Sequence, residues 1–73
     1  MNKQFKIRAM GKTELAMCYN SHLSASGALQ TLRRWINFNP TLVQELQEVG
    51  YNKYAHIYRP IDVHIIVKHL GKP

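Results

Sequence analysis

Five residues between Ser26 and Asn37 carry the side chains best suited to recognising another molecule. On a helix of 3.6 residues per turn, Ser26, Gln30, Arg33, Arg34 and Asn37 fall within a roughly 100°-wide arc. The two guanidinium groups suit phosphate oxygens, and the two amides suit base edges because each carries both donors and an acceptor. A merely solvated face is richer in Glu and Lys. Ala25, Ala28, Leu29, Leu32, Trp35 and Ile36 share the opposite side, so the same helix supplies core, with Trp35 assigned to it.

Other residues that could do chemistry are poorly spaced for it. Gly11-Lys12-Thr13 ends like a phosphate-binding loop, but that motif needs a glycine five positions before its last one, where Lys6 stands. Cys18 and His22 are four apart and could share a metal if the first helix continued. His56, His64 and His69 are too scattered to complete the ligand set. Cys18 therefore reads as a buried thiol beside a solvated His22. Four carboxylates and no nucleophile with a base at motif spacing argue against catalysis. The expectation is a protein that is no enzyme and has no cofactor and no metal.

The elements that must hold these residues follow from periodicity and capping. Seventy-three residues with 45% apolar content bound a single domain, residues 1–73, with one small core. Residues 3–9 alternate, with Phe5, Ile7 and Ala9 on one side and Lys6 and Arg8 on the other, predicting an edge strand that Gly11 breaks. Thr13 is the expected cap of a first helix reaching Tyr19, with Glu14 in its first turn. Asn20-Ser21-His22 makes a polar turn, Leu23 plugs the core, and Ser24 caps the central helix. Asn39 and Pro40 restart the chain as a third helix, with Leu42, Val43, Leu46 and Val49 inward, until Gly50. Tyr51 to Tyr58 is aromatic and β-prone, predicting a loop and a short strand, His56-Ile57-Tyr58, paired with residues 5–9. Such a projection would carry Lys53, Tyr54 and His56 as a wing. Arg59-Pro60 opens a last helix closed by Gly71, with Val63, Ile66, Val67 and Leu70 inward and Ile61 and Ile65 on the other side. A helix apolar on two sides needs a second cover, which raises a homodimer through Ile61 and Ile65.

Charge is uneven along the chain. The net charge is +6, and residues 1–39 hold Lys3, Lys6, Arg8, Lys12, Arg33 and Arg34 against Glu14 alone. Residues 40–73 hold Lys53, Arg59, Lys68 and Lys72 against Glu45, Glu48 and Asp62. The cationic half is the one with the central helix, which favours a polyanionic partner; its plain alternative is charge kept for solubility. One cysteine excludes an internal disulfide and suits a reducing compartment. No apolar block long enough for a leader or a membrane span is present, so the expected location is cytoplasmic, without a membrane partner.

Two resemblances bear on fold and function. Glu14-Leu15-Ala16, Leu23-Ser24, Ala28-Leu29 and Leu32 look like the helix-turn-helix of excisionase and MerR-type winged helices, although the turn is about two residues longer and lacks the usual glycine. Over nearly the whole chain, Lys6-Ile7-Arg8, Gly11 to Ala16, Leu32 to Ile36, Asn39-Pro40, Leu46, Gly50-Tyr51, Arg59-Pro60, Val63, Ile66-Val67 and Leu70 to Pro73 resemble a family of small uncharacterised gut-bacterial proteins, a domain of unknown function. That resemblance implies a shared fold and no activity. The expected fold is mainly α with a small β element, about four helices and a two-stranded sheet, of winged helix-turn-helix character. The expected function is non-catalytic DNA binding, as a regulator of transcription or of a mobile element. Ser26, Gln30, Arg33, Arg34 and Asn37 would contact bases or phosphates, and Lys6, Arg8, Lys12 and Lys53 phosphates. The competing expectation is a protein-interaction adaptor using the Ile61 and Ile65 side.

Overall fold

Four helices and one short sheet make up the fold, in a computed structural model that describes residues 5–73. In chain order these are β1 (Met10–Gly11), α1 (Lys12–Tyr19), α2 (Ala25–Asn37), α3 (Pro40–Glu48), β2 (Ile57–Tyr58) and α4 (Pro60–Leu70). The domain is therefore mainly helical with a two-stranded antiparallel sheet, as the sequence leads one to expect.

Each helix begins where a capping group frees it to begin. Ser24 Oγ accepts the Gly27 amide at 3.1 Å, and Asn39 Oδ1 accepts the Leu42 amide at 3.1 Å, each satisfying an orphan donor of the first turn. Pro40 and Pro60 occupy first-turn positions, where a missing N–H costs nothing. At the head of α4, the buried Asp62 carboxylate accepts the Arg59 amide at 2.9 Å and the Arg59 guanidinium at 3.0 and 2.9 Å. The same guanidinium donates to the Val49 carbonyl at 2.8 Å, tying the end of α3 to the start of α4. Gly50, with φ of 73°, and Gly71, with φ of 88°, follow α3 and α4 in the left-handed region that side chains resist.

The start of the chain departs from the periodicity reading. Residues 3 and 4 lie outside the described residues, and residues 5–9 form no strand. Pairing falls instead on Met10 opposite Tyr58 and Gly11 opposite Ile57, and the Lys12 amide continues it to the His56 carbonyl at 2.9 Å. The register is set by burial: Met10 and Tyr58 both enter the core, whereas Ile7 and Ala9 are exposed and only Phe5 packs against it. Helix α1 consequently starts at Lys12, and Glu14, rather than Thr13, provides the cap by accepting the Gly11 amide at 3.2 Å.

The core gathers Leu15 and Ala16 from α1, Ala28, Leu32 and Ile36 from α2, Leu42 and Leu46 from α3, and Val63, Ile65, Ile66 and Val67 from α4, with Met10 and Tyr58 from the sheet. Ile65 is 4% exposed, so the second apolar side expected for α4 is covered within the chain. Only Ile61, 43% exposed, remains of the surface on which the homodimer and adaptor expectations rest. Trp35 is also displaced from its expected place: it lies at the margin of the core stripe, 38% exposed, with its ring edge-on to Tyr19 at 6.0 Å and 89°. Cys18 is exposed rather than buried. The Tyr19 hydroxyl donates to the Gly71 carbonyl, and burial foremost, with the Cys18 charge second, pushes its phenol up to about 12.

Glu45 on α3 clamps α4 by accepting hydrogen bonds from Lys68 and from the His69 ring. The Lys68 ammonium first, and His69 second, hold the Glu45 carboxyl below its ordinary value of 4.5. A carboxylate with a depressed folded-state value stabilises fully above the unfolded value and loses that contribution as pH falls through the folded one. Glu45→Gln is therefore expected to lower stability at neutral pH and to make its decline below about pH 4.5 shallower than in the parent. Denaturant melts across that range measure it; parallel acid limbs for parent and variant contradict the clamp.

Candidate nucleic-acid interface

Helix α2 is buried along one stripe and carries its polar arc outward. Ser26, Gln30, Arg33, Arg34 and Asn37 are all exposed, as the periodicity predicts. Three of the four carboxylates are ion-paired elsewhere, Glu14 with Arg8, Asp62 with Arg59, and Glu45 with Lys68 and His69, while Glu48 reaches only the neutral Gln44 amide at 3.5 Å. No ion pair among the described residues involves Arg33, Arg34, Lys6 or Lys53.

The loop between α3 and β2 brings the second half of the surface. Tyr51, Lys53, Tyr54 and Tyr58 face Arg33, Ile36 and Asn37 of α2 across a cleft of about 410 Å³. The cleft continues past Asn52 toward Val43, Leu46 and Gln47 of α3. A neighbouring depression of about 400 Å³ is bounded by Gln30, Arg33, Arg34, Asn37 and Phe38. Arg33 and Asn37 thus form the ridge between two hollows, and no carboxylate lines either.

Lys12 is what fixes the loop. It is 5% exposed, and its ammonium donates to the Asn52 and Lys53 carbonyls at 3.2 and 3.1 Å. It also lies 4.6 Å from the Tyr51 ring centroid and 5.5 Å from that of Tyr58, two rings stacked on each other at 6.0 Å and 27°. Its charge is offset by carbonyl oxygens and ring faces within the chain. The phosphate contact expected of Lys12 is accordingly corrected: the residue is interior, and it positions the backbone that carries Lys53. Burial foremost, with Tyr51 adding to it, pushes the Tyr58 phenol up, whereas the nearby Arg33 charge acts in the opposite sense. Within the loop, Asn52 Oδ1 accepts the Tyr54 amide at 2.9 Å, and the Ala55 amide donates to the Asn52 carbonyl at 3.2 Å.

The remaining expected contacts are distributed unevenly. Arg8 is exposed and bonds Glu14 at 2.8 Å and the Ala9 carbonyl at 3.1 Å. Water screens an exposed pair of this kind, so it holds Arg8 only weakly. Lys6 is exposed and lines neither hollow. Phe38, which the sequence reading passed over, is 79% exposed beside Arg34, and Tyr54 is 80% exposed beside Lys53, whose ammonium lies 5.3 Å from its ring centroid. The signal for Phe38 was its position four residues after Arg34, on the flank of the polar arc.

A family model matches residues 6–73, nearly the whole chain. The chain belongs to the family described as Domain of unknown function (DUF4248). No curated protein and no solved structure matches it. The resemblance to an uncharacterised family is thereby borne out, while that to excisionase and MerR-type winged helices finds no counterpart in the comparisons. Geometry bears on the latter too: residues 20–24 separate α1 from α2, longer than the three- or four-residue turn of that motif. Strands β1 and β2 come from opposite ends of the chain rather than from one hairpin. Among the described residues, no group of three or more metal-ligating side chains occurs and no helix is long and apolar enough to cross a membrane.

Replacing Lys12 with Met keeps most of the aliphatic stem but removes the ammonium. Lys12→Met is expected to cost about 1–3 kcal/mol in denaturant unfolding, because it takes the ammonium from the Lys53 carbonyl and leaves the Asn52 carbonyl with the Ala55 amide alone. It should also speed exchange of the Ala55 amide. Parent-like stability together with parent-like exchange contradicts the positioning role.

Proposed function

We propose that this domain binds DNA without catalysis, through the exposed arc of α2 and the loop carrying Lys53, as a regulator of transcription or of a mobile element. The observation that supports this most is the charge arrangement: Arg33, Arg34 and Lys53 stand exposed around two hollows, while Glu14, Glu45 and Asp62 are ion-paired elsewhere and Glu48 lines neither hollow. An unneutralised cationic surface attracts a polyanion and releases its counterions on contact. Gln30 and Asn37 lie among the cations with amides able to pair with base edges. Lys6 and Arg8 are further exposed cations available to the phosphate backbone. Cytoplasmic placement fits a DNA partner and is part of the same proposal.

Salt dependence is the test. Each phosphate neutralised contributes a slope of about −0.9 to log K against log salt concentration. The double variant Arg33→Ala with Arg34→Ala is expected to lose detectable binding to random duplex DNA in a low-salt gel shift. Where residual binding is measurable by anisotropy, its salt slope should be shallower by about 2. Unchanged affinity and slope would place DNA on another face or remove it as a partner.

A further inference from the structure

We infer that the two hollows flanking Arg33 and Asn37 take unpaired bases of single-stranded DNA, with Phe38 and Tyr54 as the stacking platforms. This rests on the DNA reading above and narrows it. Single exposed apolar side chains are ordinary on a protein surface, so exposure alone says little about Phe38 and Tyr54. Their placement says more. Among the described residues, the two most exposed large apolar side chains each lie against one of the hollows, and both hollows share Arg33 and Asn37.

Ring and cation are paired in each. Phe38 shares its hollow with Arg33 and Arg34, and Tyr54 shares its own with Arg33 and Lys53. A sequence of ring face and positive charge is what a single strand asks for: phosphates meet the cations while successive bases stack on the rings. Paired bases in a duplex are stacked on each other and offer no face to either ring. Gln30 and Asn37 supply amides that could bond the free edge of a stacked base.

The position of the cations along α2 argues in the same direction. A recognition helix in the major groove reads bases with its N-terminal residues, and here that end offers Ser24, Ala25 and Ser26. Arg33, Arg34, Asn37 and Phe38 gather at the other end, next to the loop. Tyr54 is held there before any ligand arrives, since Asn52 fixes its amide and Lys12 fixes the carbonyls of Asn52 and Lys53. A loop backbone fixed in advance lowers the ordering cost of presenting that ring.

Fluorescence anisotropy separates the possibilities, using a labelled oligothymidine of about 16 nucleotides, its duplex with oligoadenine and an oligouridine of equal length, each at about 50 and 200 mM salt. The parent is expected to bind oligothymidine more tightly than the duplex. Phe38→Ala and Tyr54→Ala should each weaken oligothymidine binding about fivefold or more and leave the duplex affinity unchanged. Phe38→Tyr and Tyr54→Phe, which keep the rings, should retain it. Duplex preferred by the parent, or alanine variants equal to the parent on oligothymidine, overturns the inference while the arginine dependence keeps the DNA reading standing. Tighter binding to oligouridine replaces DNA as the occupant and overturns it as well. Salt-sensitive binding to neither form of DNA removes both readings together.

Discussion

A shortage of carboxylates governs this domain. Ten lysines and arginines share four aspartates and glutamates, and the fold spends three of the acids on itself. Asp62 closes the head of α4, Glu45 joins α3 to α4, and Glu14 caps α1 while holding Arg8. The balance left over is positive, and three of its cations stand where α2 meets the loop before β2. In a chain this small, helix ends and interhelical clamps compete with surface pairs for the same few acids. The exposed cations at Arg33, Arg34 and Lys53 therefore meet solvent and counterions instead.

Lys12 shows how the same shortage is handled inside. A buried ammonium without a carboxylate needs other electron-rich groups around it, and two carbonyls with two tyrosine faces provide them. Because those carbonyls belong to Asn52 and Lys53, satisfying the charge also fastens the loop. The sheet adds to this by bringing Lys12 next to His56, so the start of α1 and the far end of the loop are joined by backbone as well. One interior cation thus links the first helix to a surface formed forty residues later in the chain.

Helices α2, α3 and α4 were legible in the sequence because their signals are local: Ser24 and Asn39 as caps, Pro40 and Pro60 in first turns, and apolar residues at helical spacing. The exposed arc of α2 was legible for the same reason. Strand position was not, since alternation over residues 3–9 records only which side chains could face inward, and the choice between Ile7 and Met10 is made by what Tyr58 brings opposite. Ile65 and Trp35 were misplaced because a helical wheel gives a direction and not the extent of cover: packing within the chain reaches farther around α4, and less far around α2, than the stripe suggests. The sequence places Lys12 among the surface cations because nothing near it along the chain announces the Tyr51, Asn52 and Tyr58 that enclose it. The site's cations could be read from the sequence; its shape could not, because the loop that completes it is tied down by a residue far away in the chain.

Backbone amide shift mapping during titration with DNA tests the account most directly, since it reports the contacted surface without altering any residue. The account predicts that the largest shifts fall on Gln30, Arg33, Arg34, Asn37, Phe38, Lys53 and Tyr54 and that they diminish as salt is raised. Shifts centred on the outer face of α4 around Ile61, or none at all at low salt, would contradict it.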